Sequence, residues 1–280
     1  MKYREGVRTL SVQGWRNLHA RAASVEALGD PDELSLQELK LRNERAHTYD
    51  AEYAAAHGPF FPNVEVSVIR RTLRPSPDEV LLELGCGTGR LTIRLAPHFR
   101  EVVAMDRSRA SLNVLRERLR RLEIENVTVV EADVTDRLSV GRLVDKVLAV
   151  QLLQHIPTQD RRRIVLESVL ASLRPAGRIV LVDENHGLVR KLRSKPREIA
   201  TVGSLFFHPF DSKEVLADLE SVGFEAVQIG GCGVLYWVRY RFASRSLAII
   251  DPALAFLPGA TKIARFLVSV GRKPRAERRR

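Results

Sequence analysis

Three glycines at alternate positions, Gly85, Gly87 and Gly89, follow the apolar run Val80–Leu84. Such a loop turns sharply and lets a ligand reach the peptide backbone without meeting a Cβ. Helical spacing resumes with Leu91 and Leu95, so the loop is expected at a helix N-terminus, where free N–H groups face whatever binds. Acids stand at regular intervals around it. Glu83 lies two residues before the first glycine, Asp106 ends a second apolar run about 20 residues beyond the loop, and Asp133 follows a third. A carboxylate has two acceptor oxygens, and at the end of the second strand it is placed to hold the hydroxyls of a ribose. Together these residues can bind a nucleoside-like ligand by backbone approach and by carboxylate. A dinucleotide fingerprint would need its third glycine at position 90, where Arg90 stands.

The elements that must position these groups follow from the hydrophobic pattern. Val80–Leu84, led in by Pro75-Ser76-Pro77, reads as a buried parallel strand. Further strands are expected at Glu101–Asp106, 126–131, 147–150, 178–183 and 224–229, with a closing strand at 266–270. Helices lie between them. One begins near Ser108 and carries Leu112, Leu115, Leu119 and Leu122 on one face; one runs from its Thr158 cap to Leu173; one is capped at Asp211 and ended by Gly223. Asp30-Pro31 opens a helix expected to run to about Ala56, before His57-Gly58-Pro59 breaks it, and residues 64–73 form another. This alternation predicts an α/β fold, a doubly wound, mostly parallel seven-stranded sheet. Residues 184–210 and 230–265 interrupt it as insertions near the substrate edge, where long loops act as lids or binding elements.

Glu-Leu-Gly-Cys-Gly-Thr-Gly at 83–89, Met-Asp-Arg-Ser at 105–108 and Glu-Ala-Asp-Val at 131–134, each at a strand end, resemble the motifs of class I S-adenosylmethionine-dependent methyltransferases. The resemblance covers about residues 60–230 and a closing strand at 266–272. It implies a Rossmann-like fold and S-adenosyl-L-methionine as cofactor. Gly85, Cys86, Gly87 and Gly89 would form the loop lining its methionine tail and ribose, with Glu83 near the amino group. Asp106, followed by Arg107, would hold the ribose; Asp133 would accept from the adenine amino group, with Val134 beside the ring. Gln151 stands at the reaction edge. In related enzymes a Tyr-x-x-x-Tyr element folds over the cofactor, which Tyr49 and Tyr53 would match; alternatively the pair packs its helix onto the domain. The organisation implied is an N-terminal arm and helical lid at 1–60, a methyltransferase domain at 61–272, and a basic tail at 273–280.

Methyl transfer from a sulfonium is an in-line displacement, so the chief task is to hold acceptor, methyl and sulfur aligned at ~3 Å. A hydroxyl acceptor also needs a base. His155 and His186 are the catalytic candidates, with His208 and Asp183 behind them; His155 can equally be a structural helix-start residue. Residues 151–157 resemble the post-strand segment of small-molecule methyltransferases, and lack both the Asn/Asp-Pro-Pro-aromatic and the Pro-Cys signatures of base-modifying enzymes. No His/Cys cluster has metal-ligand spacing, so no metal is expected.

Composition sets the outer bounds. In 280 residues, 45% apolar, there is enough material for a real core. Two cysteines make no disulfide framework, and no apolar run approaches the ~20 residues that span a membrane. A cytoplasmic setting is expected. The net charge of +11 is concentrated in the tail and in Arg190, Lys191, Arg193, Lys195 and Arg197; it is either a solvated face or an attraction for anionic partners. Tyr and Trp beside Arg in residues 234–242 suit a membrane surface, a stacked anionic substrate or core packing. The function expected is methyl transfer to a small or amphiphilic acceptor, at oxygen, with peripheral membrane contact possible in principle. Alternatives are an RNA or protein methyltransferase using the basic surface, and a non-catalytic cofactor-binding module.

Overall fold

The computed structural model describes residues 30–58, 61–136, 141–195, 206–236 and 245–275. The expected arm over 1–29, Arg197, the stretch 237–242 and the end of the basic tail lie outside the described residues.

The strand β1, Val80–Leu84, is buried at all five positions, the Glu83 carboxyl included, as a mostly apolar central strand requires. Burying each of its leucines contributes roughly 1.5–3 kcal/mol, and Leu82→Ala would cost about 2–5 kcal/mol. Around it form β2 (Glu101–Asp106), β3 (Val127–Glu131), β4 (Val144–Val150), β5 (Leu173–Glu184), β6 (Glu225–Cys232) and β7 (Phe266–Arg272). Their order across the sheet is β3-β2-β1-β4-β5-β7-β6. The first five are mutually parallel, and β7 runs antiparallel to both neighbours. Strand order reverses between β1 and β4, the switch point at which open α/β sheets bind ligands.

The helices are α1 (Pro31–Arg45), α2 (Tyr49–His57), α3 (Phe61–Leu73), α4 (Thr92–Leu95), α5 (Arg109–Arg121), α6 (Gln159–Ser172), α7 (Leu188–Leu192), α8 (Ser212–Ser221), α9 (Arg245–Leu254) and α10 (Ala260–Ile263). The caps read from sequence form: the side chains of Asp30, Ser108, Thr158 and Asp211 accept from N–H groups of the first turns of α1, α5, α6 and α8.

Several boundaries differ from expectation. The first helix breaks at 46–48 into α1 and α2, where the Thr48 hydroxyl turns back to Glu52 and the Arg45 carbonyl. The turn expected at 174–177 is a bulge within β5: Val144 pairs with Leu173 and Lys146 with Arg178, and Ala176 sits at φ 64° to absorb the extra residues. The helix after the glycine loop is only four residues long, because Pro97 holds the next turn in a 3₁₀ form. The described residues of the 230–265 insertion form regular elements. Its first residues extend β6 to Cys232, and α9 and α10 follow despite Pro252 inside α9.

Candidate active site

The loop after β1 curls over the carboxyl end of the sheet through positive φ angles at Gly85, Gly87 and Gly89 (68°, 54° and 81°). The three glycines have different surroundings. A Cβ on Gly89 would lie 2.2 Å from Leu115 Cδ1 of α5, and one on Gly85 would lie 3.0 Å from Leu152 Cδ1. A Cβ on Gly87 would meet nothing within 4 Å. Gly87 is thus the point where bare backbone faces the cleft, whereas Gly89 is bare so that the loop can pack on α5 and does not line the cleft.

Asp106 braces that loop. One carboxylate oxygen accepts from Gly87 N–H at 2.8 Å and the other from Ser108 N–H at 2.8 Å. Each oxygen retains a second lone pair for a ligand. Burial raises the Asp106 pKa, partly offset by those two N–H groups. Glu83, buried beneath the loop, takes the Thr92 hydroxyl at 2.7 Å, and burial pushes its pKa up to about 7. Burial also pushes the Cys86 thiol up, so the loop cysteine stays protonated. Asp133 accepts from the Thr135 N–H and hydroxyl, with Val134 buried beside it. Burial favours its acid form, but Thr135 and the Arg107 guanidinium outweigh that and hold its pKa low.

Helices α1 and α2 form the opposite wall, through residues that the sequence motifs do not reveal. Ser35, Glu38 and Arg42 face the loop alongside Tyr49. Arg107 ties this wall to the sheet: it donates to Glu38 Oε2 (2.8 Å), the Ser35 carbonyl (2.8 Å) and hydroxyl (2.5 Å), and Asp133 Oδ2 (3.2 Å). Asp50 of α2 takes the Thr88 hydroxyl (2.6 Å) and Arg118 (2.5 Å), and Asn43 receives the Ser108 hydroxyl. The enclosed space is about 120 Å³, below the roughly 300 Å³ at which ligand pockets begin.

Past β4, Gln151 lines the cleft with φ 53°, a conformation costly outside glycine. Its N–H bonds the Val182 carbonyl at 2.6 Å and its amide donates to the Tyr53 hydroxyl at 3.1 Å. Tyr53 in turn donates to buried Glu65 at 3.0 Å, with the Arg90 guanidinium 3.9 Å above its ring and paired to the same carboxylate. Tyr53 thus lies behind the cleft and positions Gln151, while Tyr49 reaches the cleft itself.

His155 lines the cleft, and His186 does not. Burial lowers the His155 pKa to about 4. Nδ1 lies 2.8 Å from the Phe206 carbonyl, which requires the proton there; Nε2 then accepts from Gln154 at 3.3 Å. His186 bonds through its backbone N–H to the Phe210 carbonyl. His208 is paired with Glu214 at 2.8 Å, and Asp183 accepts from Gln154 N–H while burial pushes its carboxyl up to about 7. Among the described residues no group of three His, Cys, Asp or Glu side chains could hold a metal ion.

Residues 81–177 match the family model described as a methyltransferase domain. The chain is 28% identical over 187 residues to chondramide synthase of Chondromyces crocatus, covering 64% of this chain and 4% of that protein. It is 30% identical over 80 residues to (S)-tetrahydroprotoberberine N-methyltransferase of Eschscholzia californica, covering 28% and 23%. The chain thus spans under a quarter of the length of either relative. The solved structure of DhpI in complex with SAH superposes with a TM-score of 0.59 at 20% identity, over 86% of this chain and 97% of that one. Residues 81–177 are thus similar to a methyltransferase domain, and the sheet has the Rossmann-like fold of that solved complex.

Proposed function

We propose that this chain transfers the methyl group of S-adenosylmethionine to an oxygen of a small or amphiphilic acceptor. The observation that carries the reading is the open backbone at Gly87 held against Asp106, a cradle into which any side chain at that position would project. The bound cofactor supplies an electrophilic methyl on a cationic sulfur. Asp106 holds the ribose hydroxyls on its remaining lone pairs, Glu83 offers negative charge to the amino group, and Asp133 and Val134 receive the adenine. Gln151, fixed by Tyr53, sets the position of the acceptor.

The acceptor oxygen is best supplied already acidic, as a phenol or carboxyl group. His155 has a low pKa, and its ring nitrogens are engaged by Phe206 and Gln154, so it orients the reaction edge more readily than it removes a proton. Alignment then provides most of the rate. The test is mass spectrometry of extract metabolites and RNA after incubation with a deuterated methyl donor, followed by assay of phenol, carboxyl and alcohol forms of the labelled compound. Label confined to RNA or protein would refute the acceptor class, and equal rates for alcohols and phenols would refute the acidic-oxygen assignment. Failure of the pure protein to bind the methyl donor by calorimetry would refute the reading as a whole.

A further inference from the structure

At the carboxyl edge of the sheet, β5 passes into α7, and the chain returns through α9, the turn 255–259 and α10 to the start of β7. These pieces touch: a Cβ on Gly187, at the start of α7, would lie 2.7 Å from the Lys262 carbonyl of α10. Their outer surface is apolar to an unusual degree. Leu192 is 76% exposed, and Leu188, Phe256, Leu257 and Ile263 are exposed as well. Residues 256–259, Phe-Leu-Pro-Gly, are exposed throughout and form the tip of the turn. Exposed apolar groups gathered on touching segments mark a contact surface more than ordinary surface scatter.

The charges on these segments have one sign. Lys191, Lys195 and Lys262 are exposed, and segments 186–195 and 252–265 contain no Asp or Glu. The one acid of α9, Asp251, is fully buried and accepts the N–H groups of Gly233 and Leu235. Large aliphatic and aromatic tips ringed by lysines match the headgroup–acyl boundary of an anionic bilayer. RNA would use the lysines but gain nothing from five exposed apolar side chains.

We propose that the face built by α7, α10 and the 256–259 turn docks the protein on an anionic phospholipid bilayer, with the apolar tips in the interface and the lysines over the headgroups. The inference extends the methyltransferase reading, because this face adjoins the carboxyl edge from which an amphiphilic acceptor would enter. It depends on the exposed groups alone, so it can fail separately.

The test is sedimentation of the full chain with vesicles of phosphatidylcholine, with and without about 30% phosphatidylglycerol. Anionic vesicles should bind at least about tenfold better than neutral ones, and raising the salt to about 0.5 M should remove most of that gain. Each lysine replaced by Glu should lower partitioning about fivefold or more. A double variant, Leu192→Asp with Leu257→Asp, should lose at least about tenfold. Both sites are exposed, so methyl-donor affinity by calorimetry should stay unchanged in every variant. No binding to anionic vesicles, or equal binding by the double variant, would overturn the proposal. So would a concentration-dependent doubling of mass, abolished by Leu257→Asp, with no vesicle binding, since the face would then join two copies. Loss of methyl-donor binding in the unaltered protein would refute the functional reading and leave the vesicle result standing.

Discussion

The two walls of the cleft hold their shape by different means. On the sheet side, peptide groups do the holding: Gly87 and Ser108 N–H groups fix Asp106, and Cys86 N–H bonds the Met105 carbonyl at 3.0 Å. On the helix side, side chains do it, through Arg107, Asp50 and Asn43. Of α1, only Leu34 is buried, so little apolar area anchors that helix. Partly exposed ion pairs are worth about 0–1 kcal/mol each. The sheet wall is therefore rigid before any ligand arrives, and the helix wall is the part free to open.

Substitutions can break this contrast, and the largest effect is expected at the open glycine. Gly87→Val should weaken methyl-donor binding about a thousandfold, roughly 4 kcal/mol, while circular dichroism shows a folded chain. Binding within tenfold of the parent would place the ligand elsewhere.

Next in size is a pH effect at Glu83. Its folded pKa of about 7 lies above its usual 4.5, so the folded state holds the proton more tightly. The stability this gives is present below pH 4.5 and lost as pH rises towards 7, a change of roughly 3 kcal/mol. Glu83→Gln should gain on the parent in thermal stability across that window; a constant difference between pH 4.5 and 7 would contradict the assignment. His155 works in the opposite sense: its folded pKa of about 4 lies below 6.5, so its contribution is lost as pH falls through that interval.

Gly89→Ala should act on folding instead of binding. The 2.2 Å approach to Leu115 and φ of 81° cost about 1–3 kcal/mol, read as a lowered denaturant midpoint, with methyl-donor affinity of the folded fraction little altered. A large affinity loss without destabilisation would return Gly89 to the ligand-facing group. Smallest in stability is Arg107→Ala, under about 1 kcal/mol. Its signature is kinetic: stopped-flow binding should show both association and dissociation several-fold faster as the helix wall loosens. Unchanged rates would mean that this wall does not gate entry.

The same contrast governs how much the sequence revealed. Strands buried along most of their length leave a mostly apolar run, so β1 and β2 were readable to the residue, as were the Ser108 and Thr158 caps. The glycine loop and the strand-end acids were legible for the same reason, because their spacing is set by local geometry. Ser35, Glu38 and Arg42 left no trace: they are polar residues on a mostly exposed helix, and their partners lie about 70 positions away. The distinction between Gly87 and Gly89 was hidden too, since it depends on whether α5 lies behind the loop. Helices α9 and α10 were missed because Pro252 and Pro258 interrupt the apolar spacing that would have disclosed them.

The reversed direction of β7 has a practical corollary. It begins at Phe266 on the ligand-binding edge and finishes at Arg272 opposite Arg178, so seven residues carry the chain roughly 24 Å to the far rim of the sheet. Residues 273–275 therefore emerge behind the molecule. A fluorophore or solid support attached there would report on, or immobilise, the protein from its back, with entry to the nucleoside cradle left clear.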